Sequence, residues 1–110
     1  MSSFVRISPD DARDMIDDRE VTIVDIRDPD SFAAGHMLNA QPLSNDTAPA
    51  FLENTDKSLP VVVCCYHGNS SQQAAQFLFE QGFTESYSLD GGFEVWNARF
   101  PDDVDTGAAS

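Results

Sequence analysis

The chain is short of positive charge. Six Lys and Arg residues, with Lys57 the single lysine, stand against 19 Asp and Glu, for a net charge of −13 at pH 7. Phosphate backbones and anionic lipid surfaces are held by clustered cations, so the charge balance argues against nucleic acid and membrane as partners. The same field opposes an anionic substrate. Either a local nest of backbone amides outweighs it, or the encounter is slow and gains from added salt. No apolar run approaches the roughly 20 residues of a membrane span, and the N-terminus lacks a basic-then-apolar leader. The expected location is the cytoplasm.

Cysteine is scarce as well. Cys64 and Cys65 are the whole complement, and they are adjacent. Neighbouring Cα atoms lie about 3.8 Å apart, inside the roughly 4.4 to 6.8 Å that a disulfide spans, so the two thiols are not expected to pair. A reducing compartment suits them. The two histidines, His36 and His67, have no second ligand at metal-binding spacing, and no metal site is expected. Internal repeats are absent. What remains, 110 residues with 41% hydrophobic and 23% charged, is the composition of one globular domain large enough for its own core.

The stretch that organises the chain runs from Val61 to Ser71 and into the helical pattern that follows. A β-branched apolar run, Val61-Val62-Val63, breaks at the cysteines, passes through a polar loop with one glycine, Gly68, and enters a helix over 72–81. Amides at a helix N-terminus have no intrahelical acceptor, and loop amides before them can curl toward a common centre. Cys65 opens that loop, so its sulfur can sit inside the ring of amides from Tyr66, His67, Gly68, Asn69, Ser70 and Ser71. A thiolate there is stabilised by the helix dipole and by N–H donors. Cys65 is the candidate nucleophile. Cys64 still belongs to the strand, whose alternation turns it to the other face, and is expected to pack in the core.

Several thiolate chemistries are narrowed by absent residues. A cysteine phosphatase needs a guanidinium in the loop, and the sixth residue after Cys65 is Ser71, with no Arg or Lys between. A Cys-x-x-Cys redox pair is missing, since the third residue after Cys65 is Gly68. Transfer to and from a single sulfur is left.

The loop Cys65-Tyr66-His67-Gly68-Asn69-Ser70-Ser71 resembles the active-site loop of rhodaneses, the sulfurtransferases, and is nearest to small single-domain thiosulfate sulfurtransferases of the GlpE type. Asp25-Ile26-Arg27, Phe32, Gly35-His36-Met37 and Ala40 are similar to that family's N-terminal signature. Asp90-Gly91-Gly92-Phe93-Glu94-Val95-Trp96 resembles its C-terminal one. Many rhodaneses carry Arg within the loop where this chain has Ser70; the GlpE-type loop has Ser there too. The resemblance implies a rhodanese or Cdc25-phosphatase class α/β fold. It also implies thiosulfate as donor, a Cys65 persulfide as intermediate, and cyanide, a dithiol or a thioredoxin-like protein thiol as acceptor. Catalysis would fall to Cys65, and substrate binding to Tyr66, His67, Gly68, Asn69, Ser70 and Ser71, with no cofactor. Two other readings stay open: a catalytically silent protein-binding module of the same fold, and a phosphatase or arsenate-reducing relative.

The remaining chain supplies the scaffold. Strands are expected over 4–7, 21–25, 40–43, 61–64 and 86–89, with helices between them, giving a mainly parallel five-stranded sheet with helices on both faces. Right-handed crossovers then bring Asp25, Cys65 and Asp90 to one rim. Asp25 and Arg27 read as a structural ion pair at that rim, His36 as a hydrogen-bonded structural residue and Trp96 as a packing anchor. His67 is placed near substrate without a catalytic step. Residues 1–101 form the domain, with a frayed start at 1–3, and 102–110 are expected to be an acidic, disordered tail.

Overall fold

Four residues with no polar side chain among them, Val61–Cys64, form the strand on which the sheet is centred, and all four are fully buried. A strand that hides both faces needs neighbours on both edges and a layer of helices above and below. The computed structural model, which describes residues 2–107, has that arrangement. In chain order its elements are β1 (Val5–Ile7), α1 (Pro9–Asp18), β2 (Thr22–Asp25), α2 (Pro29–Ala34), β3 (His36–Met37), β4 (Gln41–Pro42), α3 (Ala48–Asn54), β5 (Val61–Cys64), α4 (Ser70–Glu80), β6 (Ser86–Leu89) and α5 (Gly92–Arg99). A 3₁₀ turn (Pro101–Asp103) and β7 (Val104–Asp105) follow.

The main sheet has the order β1-β6-β5-β2-β4, and each pairing in it is parallel. The register aligns Asp25 with Cys64 and Val63 with Ser88. Alternation along β5 divides the core in two. Val62 and Cys64 pack with Ile23, Leu89, Ala12 and Trp96 on the side of α1 and α5. Val61 and Val63 pack with Val24, Phe51, Ala75 and Leu78 on the side of α3 and α4. The expected five-stranded parallel sheet with helices on both faces is therefore the observed one, and Cys64 faces the α1/α5 core as alternation predicts.

Local signals set the helix starts. Ser8 caps α1 by accepting from the Asp11 amide at 3.1 Å, with Pro9 behind it; Asp28 caps α2 by accepting from Ser31 at 2.9 Å, with Pro29 behind it. α4 starts at Ser70, two residues earlier than the periodicity places it, and its N-cap residue Asn69 makes no side-chain capping bond. That missing cap matters at the site.

One expectation needs correction. The segment after Pro101 is not a free tail through residue 107. β7 pairs antiparallel with β3, His36 opposite Asp105 and Met37 opposite Val104. Asp103 is held from three directions: its carbonyl accepts from Trp96 Nε1 at 3.3 Å and from the Leu38 amide at 2.9 Å, and its carboxylate pairs with Arg13 Nε at 2.8 Å. The Gly107 amide donates to Ala33. Composition called this stretch a tail because it is acidic and small. Strand pairing draws on backbone groups that every residue has, and the single apolar side chain Val104 reaches the α1/α5 core. Met1 of the expected frayed start and residues 108–110 of the expected tail lie outside the described residues.

Candidate active site

β5 ends at Cys64, and the chain turns at once into the loop 65–69 at the carboxyl edge of the sheet. Cys65 is 2% exposed. Its sulfur takes the place of the absent cap of α4: the Ser71 amide points at Sγ from 3.3 Å and the Gly68 amide from 3.1 Å. Ser71 Oγ lies 3.2 Å from the sulfur. Burial by itself would push the thiol pKa up. The Ser71 hydroxyl and amide, with the amides of Gly68 and His67, outweigh it, and Cys65 is held below the ordinary thiol value. Cys64 is buried, with no donor to its sulfur among the described residues, and burial together with the nearby Asp25 carboxylate pushes its thiol far up.

The amides point inward because a second element holds the loop carbonyls outward. Phe93 at the start of α5 donates its amide to Cys65 O at 2.8 Å, and Glu94 donates to Tyr66 O at 3.3 Å. This approach is so close that a Cβ on Gly92, itself at φ +60°, would lie 2.5 Å from Cys65 O and 2.6 Å from the His67 nitrogen. Gly68, at φ +90°, packs likewise on the Gly91 amide, 2.8 Å from where its Cβ would be. The residues Asp90-Gly91-Gly92-Phe93 are thus a platform for the loop. Reading them as a turn before a short helix misses that; the paired glycines were the available signal.

The other predicted residues separate into those at the sulfur and those around it. Gly68 and Ser71 touch it. Tyr66 is turned outward, and its hydroxyl donates to Asp28 Oδ2 at the start of α2, with Ser31 Oγ at 3.3 Å. That bond, with the Ser31 amide, holds the Asp28 carboxyl below the usual carboxylate range. His67 is exposed and pairs through Nδ1 with Glu94 Oε2 at 2.6 Å. Asn69 and Ser70 contribute no side-chain hydrogen bond to Sγ among the described residues; Ser70 instead lines a groove of about 610 Å³ with Ile26, Leu43, Asn45, Gln73 and Phe77, none of them charged.

Beneath the loop, Asp25 and Arg27 are paired as expected, but not at an open rim. Their side chains are 0% and 5% exposed, and the guanidinium makes a two-pronged contact with the carboxylate at 2.7 to 3.1 Å while Nη2 also donates to Gly35 O at 2.6 Å. The ring of Phe93 lies 4.2 Å from its carbon. The Arg27 guanidinium is therefore committed to structure. His36 is structural too, with Nδ1 2.8 Å from Phe32 O and its ring stacked on Phe32. Sequence reasoning also missed Ser88 of β6, fully buried, whose Oγ lies 2.7 Å from Ser71 Oγ. Alternation along Ser86-Tyr87-Ser88 was the signal, since it turns both serines toward α4.

Among the described residues no cluster of His, Cys, Asp or Glu can hold a metal ion, and no helix is long and apolar enough to cross a membrane.

Known proteins share this fold. The Rhodanese-like domain family matches residues 8–99. A rhodanese-like domain protein from Staphylococcus aureus is 26% identical, superposes with a TM-score of 0.72, and the match covers 84% of this chain and 90% of that one. A rhodanese-like domain from an Anabaena protein reaches a TM-score of 0.81 at 21% identity, over 92% of this chain and 78% of that one. A yeast protein described as a tyrosine phosphatase of the rhodanese family has a TM-score of 0.74 at 16% identity, over 97% and 95%; at that identity the likeness concerns the fold alone.

Proposed function

The chain belongs to the rhodanese-like domain family, and from that membership and its loop geometry we propose that it is a thiosulfate sulfurtransferase working through a Cys65 persulfide. In the first step the Cys65 thiolate attacks the outer sulfur of thiosulfate, the S–S bond breaks, and sulfite leaves with the bonding pair. In the second a thiophilic acceptor, such as cyanide, a dithiol or a thioredoxin-like protein thiol, takes the outer sulfur and returns the electron pair to Sγ. Two states alternate without both substrates being bound together, so the kinetics are ping-pong.

The observation that carries this reading is the sulfur's setting: two amides and a hydroxyl converge on Sγ, while the loop from Cys65 to Ser71 itself carries no Arg or Lys. Donors of this kind favour a thiolate and the charge on a persulfide. A phosphoryl group would require a bidentate cation, and the position where a phosphatase carries it is Ser71. The preference for thiosulfate within the sulfurtransferases rests on the loop's likeness to the GlpE type. A location in the cytoplasm and an acceptor bearing a protein thiol are parts of the same proposal.

The test is intact mass after incubation with thiosulfate and removal of excess reagent, without reductant. The expected result is a gain of one sulfur, reversed by cyanide, absent in Cys65→Ser and kept in Cys64→Ser. A wild-type protein that takes up no sulfur from thiosulfate overturns the reading in favour of a silent binding module.

A further inference from the structure

Ser86 and Ser88 of β6 flank Tyr87, both face α4, and both are fully buried. Ser86 Oγ donates to the carbonyl of Ala75 at 2.7 Å. Ser88 does not reach a carbonyl. One turn back along α4 it meets a hydroxyl, Ser71 Oγ, at 2.7 Å, and Ser71 Oγ in turn lies 3.2 Å from Cys65 Sγ. No other hydrogen bond involves the Ser88 side chain among the described residues.

Counting protons gives this short chain a direction. It has two gaps, Sγ to Ser71 and Ser71 to Ser88. With Cys65 as a thiol there are three protons for two gaps, so one of them has no acceptor within the chain of Sγ and the two hydroxyls. With Cys65 as a thiolate there are two protons for two gaps. A thiolate only accepts, so the Ser71 proton must point at sulfur, and the Ser88 proton must then point at the lone pair Ser71 has left. We propose that Ser88 is a positioning residue of the sulfur site: its hydroxyl donates to Ser71 Oγ, aims the Ser71 proton at Cys65 Sγ, and so holds the thiolate. Aligned hydroxyl dipoles polarise one another, which makes Ser71 a better donor than a lone serine.

For turnover the inference rests on the sulfur-transfer reading. On persulfide formation the charge moves from Sγ to the outer sulfur, and the demand on Ser71 relaxes. When an acceptor removes that sulfur the electron pair returns to Sγ, where the two hydroxyls are again aligned to receive it. Ser88 thus serves Cys65 both as nucleophile and as leaving group, without touching substrate.

Other groups on the elements packed around the sulfur also bear on its ionisation. They are Asp25 and Arg27 after β2, paired with each other; Asp28 at the start of α2; Cys64 on β5; Tyr66 and His67 on the loop; Asp90 after β6, paired with Arg6; and Glu94 on α5, paired with His67. The first turn of α4 has no charged side chain. All are unchanged by substitutions at Ser88, so comparison between variants cancels them.

The experiment is the pH profile of Cys65 alkylation by iodoacetamide, followed by mass spectrometry, for wild type, Ser88→Ala, Ser71→Ala, the double variant and Ser86→Ala. This readout needs no sulfur donor, so it stands or falls apart from the thiosulfate reading. Ser71→Ala should raise the apparent pKa by about one unit and Ser88→Ala by about 0.3 to 0.7 units. Ser86→Ala, which removes an equally buried hydroxyl outside the chain, should leave it unchanged. In the Ser71→Ala background, Ser88→Ala should add nothing. The proposal is overturned if Ser88→Ala titrates like wild type, or shifts the pKa as much with Ser71 absent as with it present. Should Ser88→Ala not fold, the wild type still decides. The resonance of the buried Ser88 hydroxyl proton should shift in the NMR spectrum as Cys65 ionises, and a resonance that stays fixed through that titration overturns the relay.

Discussion

Cys64 and Cys65 are one peptide bond apart and have opposite chemistries. Cys64 is the last residue of a strand buried on both faces; its surroundings are Ile23, Leu89 and Trp96, and among the described residues no group donates to its sulfur. Cys65 has left the strand, and its sulfur meets two amides and a hydroxyl. Both are nearly inaccessible, so exposure does not separate them. What separates them is whether burial comes with donors. Desolvation alone makes a thiol inert, whereas desolvation with convergent N–H and O–H groups makes a thiolate.

Gly92→Ala attacks the platform that creates this difference, and the largest effect is expected there. The new Cβ would meet Cys65 O at 2.5 Å in a backbone conformation alanine resists. A loss of about 1 to 3 kcal/mol from the conformation alone is expected in denaturant melts, with the clash added to it. Variants that still fold should alkylate Cys65 slowly, because the loop amides no longer converge; wild-type alkylation in a folded Gly92→Ala protein would show that the platform is unnecessary.

Cys64→Ser addresses the inert partner. A hydroxyl in that apolar site should cost about 1 to 3 kcal/mol in chemical denaturation while persulfide formation at Cys65 continues. Loss of sulfur uptake in a folded Cys64→Ser protein would mean the two thiols are not separate.

The pH dependence sharpens the contrast. Cys65 has a folded pKa below its unfolded value, so its share of stability is fully present above the unfolded thiol pKa and is lost as pH falls through the folded one. Sulfur uptake should follow the same lowered midpoint, staying high above it and declining as pH falls through it. A midpoint at or above that of free cysteine would contradict the assignment of donors. Cys64, by contrast, should resist alkylation across the whole range.

Tyr66→Phe is expected to do least. It removes the tie between the loop and Asp28 at an exposed position, so sulfur uptake should drop no more than about threefold, an effect under about 1 kcal/mol. A larger drop would place the Tyr66 hydroxyl in the chemistry and not merely at the edge of the loop.

The two regions also differed in how plainly they could be read. The strand, loop and helix from 61 to 80 announced themselves through Val61-Val62-Val63, the single Gly68 and the periodicity of α4, because backbone and apolar side chains there follow rules that act over a few residues. The Asp25–Arg27 pair was foreseen, but its burial was not, since depth depends on Phe93 and Gly35 arriving from elsewhere. The stretch around Val104 was misread as tail. Its order comes from β3, α1 and Trp96, all distant in sequence.

By itself the sequence determined the parallel α/β layering, the place of Cys64 in the strand and of Cys65 in the loop, and the lack of Arg or Lys in that loop, because alternation, run length and residue type suffice for each. Only the tertiary structure decided which amides face the sulfur and that α5 holds the loop open. It alone decided that Ser88 stands behind Ser71, and that residues 101–107 are docked. Those outcomes depend on hydrogen bonds between segments far apart in the chain, and direction in such bonds is fixed when the layers pack, not where the residues are written.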